Sequence, residues 1–176
     1  MIDYRSIQVL EINREFFRYF IRRQVVEDCW RRVDGEWVIQ KDPFIDEWSE
    51  KDYQLLITCL KNTIETGGIV YGAFQDGMCK GFTSVEAKPF GSRKQYLDLS
   101  CIHVSEDLRG NGVGTVLFKM ACNWAKGQGA EKLYISAHSA VETQAFYHAK
   151  GCVEAEEYNE DHVKQEPFDC QMEYRL

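Results

Sequence analysis

The sequence predicts one mixed α/β domain, hairpin-rich in its first half and alternating strand with helix in its second. Three observations carry that expectation. Gln75-Asp76-Gly77-Met78 lies between two β-type runs, Ile69 to Phe74 and Cys79 to Glu86, and Asp-Gly is the strongest short-range hairpin signal. Gln95 to Val104 alternates Leu97, Leu99, Cys101, His103 with Asp98, Ser100, Ile102, Val104, so both faces are largely apolar, as in a central strand covered on both sides. From Gly112 on, helical and strand periods follow one another without repeat or linker.

Taken in order, Arg5 to Glu11 reads as a first strand on Ile7 and Val9. Asn13 reads as the N-cap of a long helix through Val33, with Phe16, Phe17, Phe20, Ile21 and Val25 at helical spacing. Ser49 with Asp52 resembles a capping box opening a second helix through Leu55, Leu56, Cys59, Leu60 and Ile64, which Gly67-Gly68 ends. The hairpin and the strand Gln95 to Val104 follow. A helix from Gly112 to Lys126, a strand from Lys132 to Ala137, a helix from Ala140 to Lys150, and β-type runs near Cys152 to Tyr158 and Phe168 to Arg175 complete the chain.

A length of 176 residues, 44% of them hydrophobic, suits one sizeable core. A net charge of −7, with 21 basic and 28 acidic residues, argues against nucleic-acid and anionic-membrane partners. Nine acids against three basic residues follow from Glu142 to the end, which suits either a solvated acidic loop around Glu154 to Glu166 or selection of a cationic ligand. The seven cysteines are spread singly without a CxxC pair, and the first residues lack a basic then apolar leader. A reducing, cytoplasmic setting with free thiols is therefore expected. The four histidines have no ligand spacing, so no metal is expected.

The chemistry-bearing segment is Val104-Ser-Glu-Asp-Leu-Arg109-Gly110-Asn111-Gly112-Val113-Gly114-Thr115, between a buried strand and an amphipathic helix. Glycines permit close backbone approach, and the free N–H groups of the helix start favour an anion. Arg109 adds charge-assisted donors. The spacing GxGxG is neither the GxGxxG of a dinucleotide fold nor a Walker loop, which needs Gly-Lys-Ser/Thr.

Arg109, Gly112 and Gly114 directly after the strand resemble the acetyl-CoA signature Arg/Gln-x-x-Gly-x-Gly/Ala of the GNAT superfamily of N-acetyltransferases. Lys132-Leu-Tyr-Ile-Ser-Ala-His-Ser, then Glu142-Thr-Gln-Ala-Phe-Tyr147 and Lys150-Gly-Cys152, is similar to that family's next strand, its tyrosine-bearing helix and its Tyr…Gly-Phe step, with Cys152 replacing the phenylalanine. The resemblance implies a central, mostly antiparallel twisted sheet of about six to seven strands, helices on both faces, and two central parallel strands that splay.

It also implies that the backbone from Arg109 through Gly110, Asn111, Gly112, Val113 and Gly114 to Thr115 holds the pyrophosphate of acetyl-CoA. The main chain of Ile102, His103 and Val104 would pair with the pantetheine arm, and Glu142 and Thr143 would cap the helix or touch the cofactor. Tyr147 would be the general acid, although by pattern alone it equally fits a core aromatic beside Phe146. Glu86 and Asp98 are candidates for the general base. Trp37, Phe44 and Trp48 would line an acceptor pocket for a primary amine of a small cationic molecule. A peptide amine substrate, or a non-catalytic acyl-CoA-binding module, are the alternatives. A homodimer is compatible with the sequence.

Overall fold

The computed structural model describes all 176 residues. Strand β1 (Ile2–Ser6) is followed by two 3-10 turns, Val9–Glu11 and Glu15–Phe17, then by a long hairpin of β2 (Arg23–Val33) and β3 (Glu36–Glu47). Helix α1 (Glu50–Glu65) leads into β4 (Ile69–Gln75), β5 (Met78–Val85) and β6 (Tyr96–Val104). The second half contains α2 (Val113–Gly127), β7 (Lys132–Ala137), α3 (Val141–Lys150), β8 (Val153–Glu154), α4 (Glu160–Gln165) and β9 (Cys170–Arg175). Seven strands form one sheet in the order β1-β4-β5-β6-β7-β9-β8, and β2 with β3 forms a separate two-stranded ribbon. Only β6 and β7 are parallel; the other neighbours in that sheet run antiparallel. This is the mixed, mostly antiparallel sheet with a splayed parallel pair that the sequence led us to expect.

Local chemistry accounts for the element ends. The Ser49 hydroxyl accepts from the Asp52 N–H while the Asp52 carboxylate accepts from the Ser49 N–H, a capping box that starts α1. Asn159 Oδ1 accepts from the amides of Asp161 and His162 and starts α4, a helix the sequence reading treated as loop. Two apolar layers then hold the sheet. On one face Leu97, Leu99, Leu133 and Ile135 pack with Phe118, Ala121 and Tyr147. On the other, Phe82, Val70 and Phe74 pack with Phe17, Phe20, Tyr53, Ile57 and Leu60.

Three expectations are corrected. The first strand lies at Ile2–Ser6, and the segment beyond it turns instead of extending to Glu11. The long helix from Asn13 to Val33 does not form: Glu15–Phe17 is a single 3-10 turn, and Arg23–Val33 is a strand. Phe16, Phe17 and Phe20 lie together in one apolar cluster around that single turn, which mimics a helical spacing, whereas Ile21 and Val25 are exposed and do not continue it. The deciding local signal is Asp34-Gly35, with φ of 50° and 84°, a tight hairpin turn of the same kind as Asp76-Gly77. Third, the alternation of β6 breaks. Ser84 pairs Cys101 and Val85 pairs Leu99, so Ser100 is an extra residue in a second bulge. Leu97 and Leu99 face α2, whereas Cys101 and His103 turn to the opposite layer, beside Phe82 and Trp48.

Gly35→Ala should lower stability by about 1–2 kcal/mol, since only glycine takes that left-handed turn without strain. Phe82→Ala, emptying a fully buried site, should cost about 3–5 kcal/mol. Urea unfolding of the two variants checks this order.

Candidate active site

Strands β6 and β7 are paired at only three positions, Tyr96 with Lys132, Leu97 with Leu133 and Asp98 with Tyr134. Beyond Asp98, β6 stays with β5 as far as Val104 opposite Gly81, while β7 stays with β9 as far as Ala137 opposite Cys170. The two strands therefore part like a V, and the edge of β6 facing β7 has no strand partner there. A cavity of about 1160 Å³ occupies this opening and continues to the loop after β6.

At one end of the cavity the glycine loop leads into α2. Gly110 and Gly112 both have φ of 78°, Gly112 is the helix N-cap, and a Cβ on either would meet nothing. The amides of Gly110, Asn111, Gly112, Val113 and Gly114 donate to no protein group, so five free N–H donors gather at the positive end of a 15-residue helix. The loop is held by Asn111 Nδ2, which donates to the carbonyls of Leu108 and Arg109, and by Arg109 Nε, which donates to the Val104 carbonyl at 3.1 Å. Lys150 Nζ donates to Thr115 Oγ1 at 2.7 Å, tying α3 to the start of α2.

The wall from α3 contributes Glu142, Thr143, Phe146 and Tyr147. Tyr147 is buried among Leu99, Phe118 and Ile135, yet no protein group hydrogen-bonds its hydroxyl. Burial pushes its pKa well above that of an ordinary tyrosine, so it is a neutral O–H donor at working pH.

The opposite wall combines aromatic rings with charge. Trp48 meets the His103 ring edge-on at 4.8 Å between centroids, and Phe44 lies 5.7 Å from the His138 ring. Burial, then the charges of Arg22 and Arg109, lower the His103 pKa to about 3, leaving a neutral imidazole. The buried Arg22 guanidinium contacts Asp46 Oδ2 at 2.5 Å, and its Nε and Nη1 have no partner. Ser136, just beyond the point where β6 and β7 part, donates to Asp169 Oδ2 at 2.9 Å. Glu166 completes this wall.

The sequence profile of the acetyltransferase (GNAT) family matches residues 34–152. The chain belongs to that acetyltransferase family. No curated protein matches the sequence significantly. Among solved structures, a protein assigned as a streptothricin acetyltransferase from Bacillus anthracis, determined with acetyl coenzyme A, aligns over 100% of this chain and 99% of its own at a TM-score of 0.74 and 15% identity. Nourseothricin acetyltransferase aligns over 99% and 98% of the two chains at 0.71 and 15%. PaiA N-acetyltransferase from Thermoplasma acidophilum, determined with coenzyme A, aligns over 100% and 99% at 0.59 and 14%. At these identities the likeness is one of fold.

Within this GNAT chain the residues singled out from sequence distribute unevenly. Ile102, His103, Val104, Arg109, Gly110, Gly112, Val113, Gly114, Thr115, Glu142, Thr143, Tyr147, Phe44 and Trp48 line the cavity. Asn111 braces the loop from outside. Trp37 lies elsewhere, with Trp30, His148 and Glu154 in a separate cavity of about 200 Å³. Glu86 is set behind the wall, where it accepts from Thr63 Oγ1 at 2.6 Å and from Ser100 Oγ at 2.8 Å. Asp98 sits at the foot of the V, its Oδ2 2.8 Å from His162 Nε2. Arg22, Ser136, His138, Glu166 and Asp169 were not identified as site residues. Ser136 lies in the splayed end of β7 and His138 just beyond it, Glu166 and Asp169 flank Phe168, and the acidic bias of the last segment hinted only at the latter two.

The histidines should titrate oppositely. His162, raised by its bond to Asp98, should titrate above the ordinary value of about 6.5, while His103 should stay neutral down to about pH 4, as read by proton NMR. Because the folded value for His162 is the raised one, the stability from this pair is full below about pH 6.5 and lost as pH rises through the folded pKa.

Proposed function

We propose that this acetyltransferase moves the acetyl group of acetyl-CoA directly to a primary amine, preferentially on a small molecule with positive charge. The observation that carries the reading is the single cavity joining the glycine loop, with its five free amides, to the V between β6 and β7, where the Tyr147 hydroxyl is unengaged. The loop suits a diphosphate: its donors converge at a helix N-terminus, the space above Gly110 and Gly112 is open, and Arg109 stands beside them. The unpaired edge of β6 at Ile102, His103 and Val104 suits an amide-bearing arm, which would add to it as a further strand.

Acetyl-CoA supplies an acetyl thioester, a carbonyl that an amine can attack. The chain supplies the remaining functions. A main-chain N–H of the β6 edge near Val104 receives negative charge developing on the carbonyl oxygen. The Tyr147 hydroxyl, held neutral by burial, gives its proton to the departing thiolate and takes back the extra proton that the acylated nitrogen carries, leaving a neutral amide and a neutral tyrosine. Phe44 offers a cation a ring face, and Glu166 and Asp169 offer negative charge. The solved structures of similar fold that act on streptothricin-type or nourseothricin-type antibiotics agree with a small amine acceptor.

The test is thiol release from acetyl-CoA with a panel of antibiotics, polyamines, amino acids and peptides. Small amines should be turned over and peptides should not; a peptide preference, or no turnover with any amine, overturns the reading. Acetyl-CoA should raise Tm. Tyr147→Phe should reduce kcat by about 10²-fold or more while keeping that rise in Tm.

A further inference from the structure

Four carboxylates line the cavity: Asp46, Glu142, Glu166 and Asp169. Asp46 is already committed to Arg22, and Glu142 and Glu166 are solvent-exposed. Asp169 alone is largely withdrawn from water without an ion-pair partner, and it faces the half of the cavity that holds Tyr147.

A directed hydrogen-bond chain ends on it. The backbone N–H of Asn159 donates to the Tyr134 hydroxyl at 2.9 Å, and Tyr134 donates to Gln171 Oε1. Gln171 Nε2 donates to Ser136 Oγ at 3.1 Å, and Ser136 donates to Asp169 Oδ2 at 2.9 Å. With the Asn159 amide donating at one end and the Asp169 carboxylate accepting at the other, the donors in this arrangement all point one way, and Ser136 directs its proton at the carboxylate. Oδ1 bonds no protein group.

We infer that Asp169 takes the proton from the acceptor's ammonium, and that the chain from Asn159 through Tyr134, Gln171 and Ser136 holds its carboxylate for that step. The inference rests on the proposed amine acetylation. One N–H bond of the ammonium breaks, an O–H bond forms on Asp169 Oδ1, and the nitrogen keeps the electron pair it needs for attack. After the product leaves, the proton passes from Asp169 to water through the open cavity.

The surroundings fit the task. Burial foremost, with the Glu166 charge, holds the Asp169 carboxyl above its ordinary value, while Ser136, His138 and His162 pull it back. Tyr147 faces it from α3, and Arg31 of β2 lies over the ring of the preceding Phe168. A carboxylate poised above its usual range is the better proton acceptor near neutral pH.

The experiment compares wild type, Asp169→Asn, Asp169→Glu and Ser136→Ala, using the amine that wild type acetylates fastest. Asp169→Asn should lose about 10²-fold or more in kcat and the acidic limb of the kcat–pH profile, with the acetyl-CoA rise in Tm intact. Asp169→Glu should recover part of the rate and the limb. Ser136→Ala removes a donor that favours the charged form, so its limb should move to higher pH. A second readout needs no cofactor: in urea unfolding of the free protein, the stability of wild type relative to Asp169→Asn should fall as pH rises from about 3.9 through the raised folded pKa. An unchanged limb in Asp169→Asn, a loss confined to KM, or a pH-independent stability difference overturns the inference. Wild type inactive on every amine would instead remove the acetylation reading beneath it.

Discussion

The parting of β6 and β7 after three paired residues is the constraint on which the site depends. Two parallel central strands ordinarily satisfy each other's backbone groups along their length. Here each turns away to an antiparallel neighbour, β6 to β5 and β7 to β9, leaving one edge unpaired beside an opening. An unpaired edge within a sheet is costly unless water or a ligand satisfies it. The same gap that weakens the sheet lets side chains from both apolar layers meet in one cavity.

The divergence is supported from several directions. The bulge at Ser100 twists β6 away and re-aims Cys101 and His103 toward Trp48 and Phe82. Below the V, Asp98 and His162 close the foot, and the Tyr134 ring stacks on His162 at 5.8 Å between centroids. Deeper still, Glu173 accepts from both Tyr96 and Lys132, so the paired half of the sheet is anchored by a buried charge that has its partners. The paired end of the sheet is thus cross-linked by side chains as well as by its ladder, and the open end is not.

The polar groups of the cavity differ in how they are held. Tyr147 is positioned by packing alone, with its hydroxyl left to the cavity. Asp169 is positioned by an ordered series of donors that begins at a backbone amide. Arg22 is half-satisfied, with one donor on Asp46 and two without partners, beside a histidine whose charge it suppresses. The rings of Phe44 in β3 and of Trp48, just ahead of the Ser49 cap of α1, fill the wall between them.

By itself the sequence determined the elements whose signals are local. The Asp76-Gly77 hairpin, the Ser49–Asp52 cap, the α2 and α3 periods and the Arg109–Thr115 loop were readable because each depends on neighbours within a few residues. The same Asp-Gly rule at Asp34-Gly35 marks the β2–β3 hairpin, but Phe16, Phe17 and Phe20, gathered around one 3-10 turn, mimic a helical period. The base candidates Glu86 and Asp98 were chosen for their strand positions, yet a one-residue bulge and a distant His162 decide what they face. Asp169, Ser136 and Arg22 became site residues only through tertiary structure. Their significance rests on which strand edge stays unpaired and which hydrogen bonds cross between segments far apart in the chain, and no local pattern encodes either.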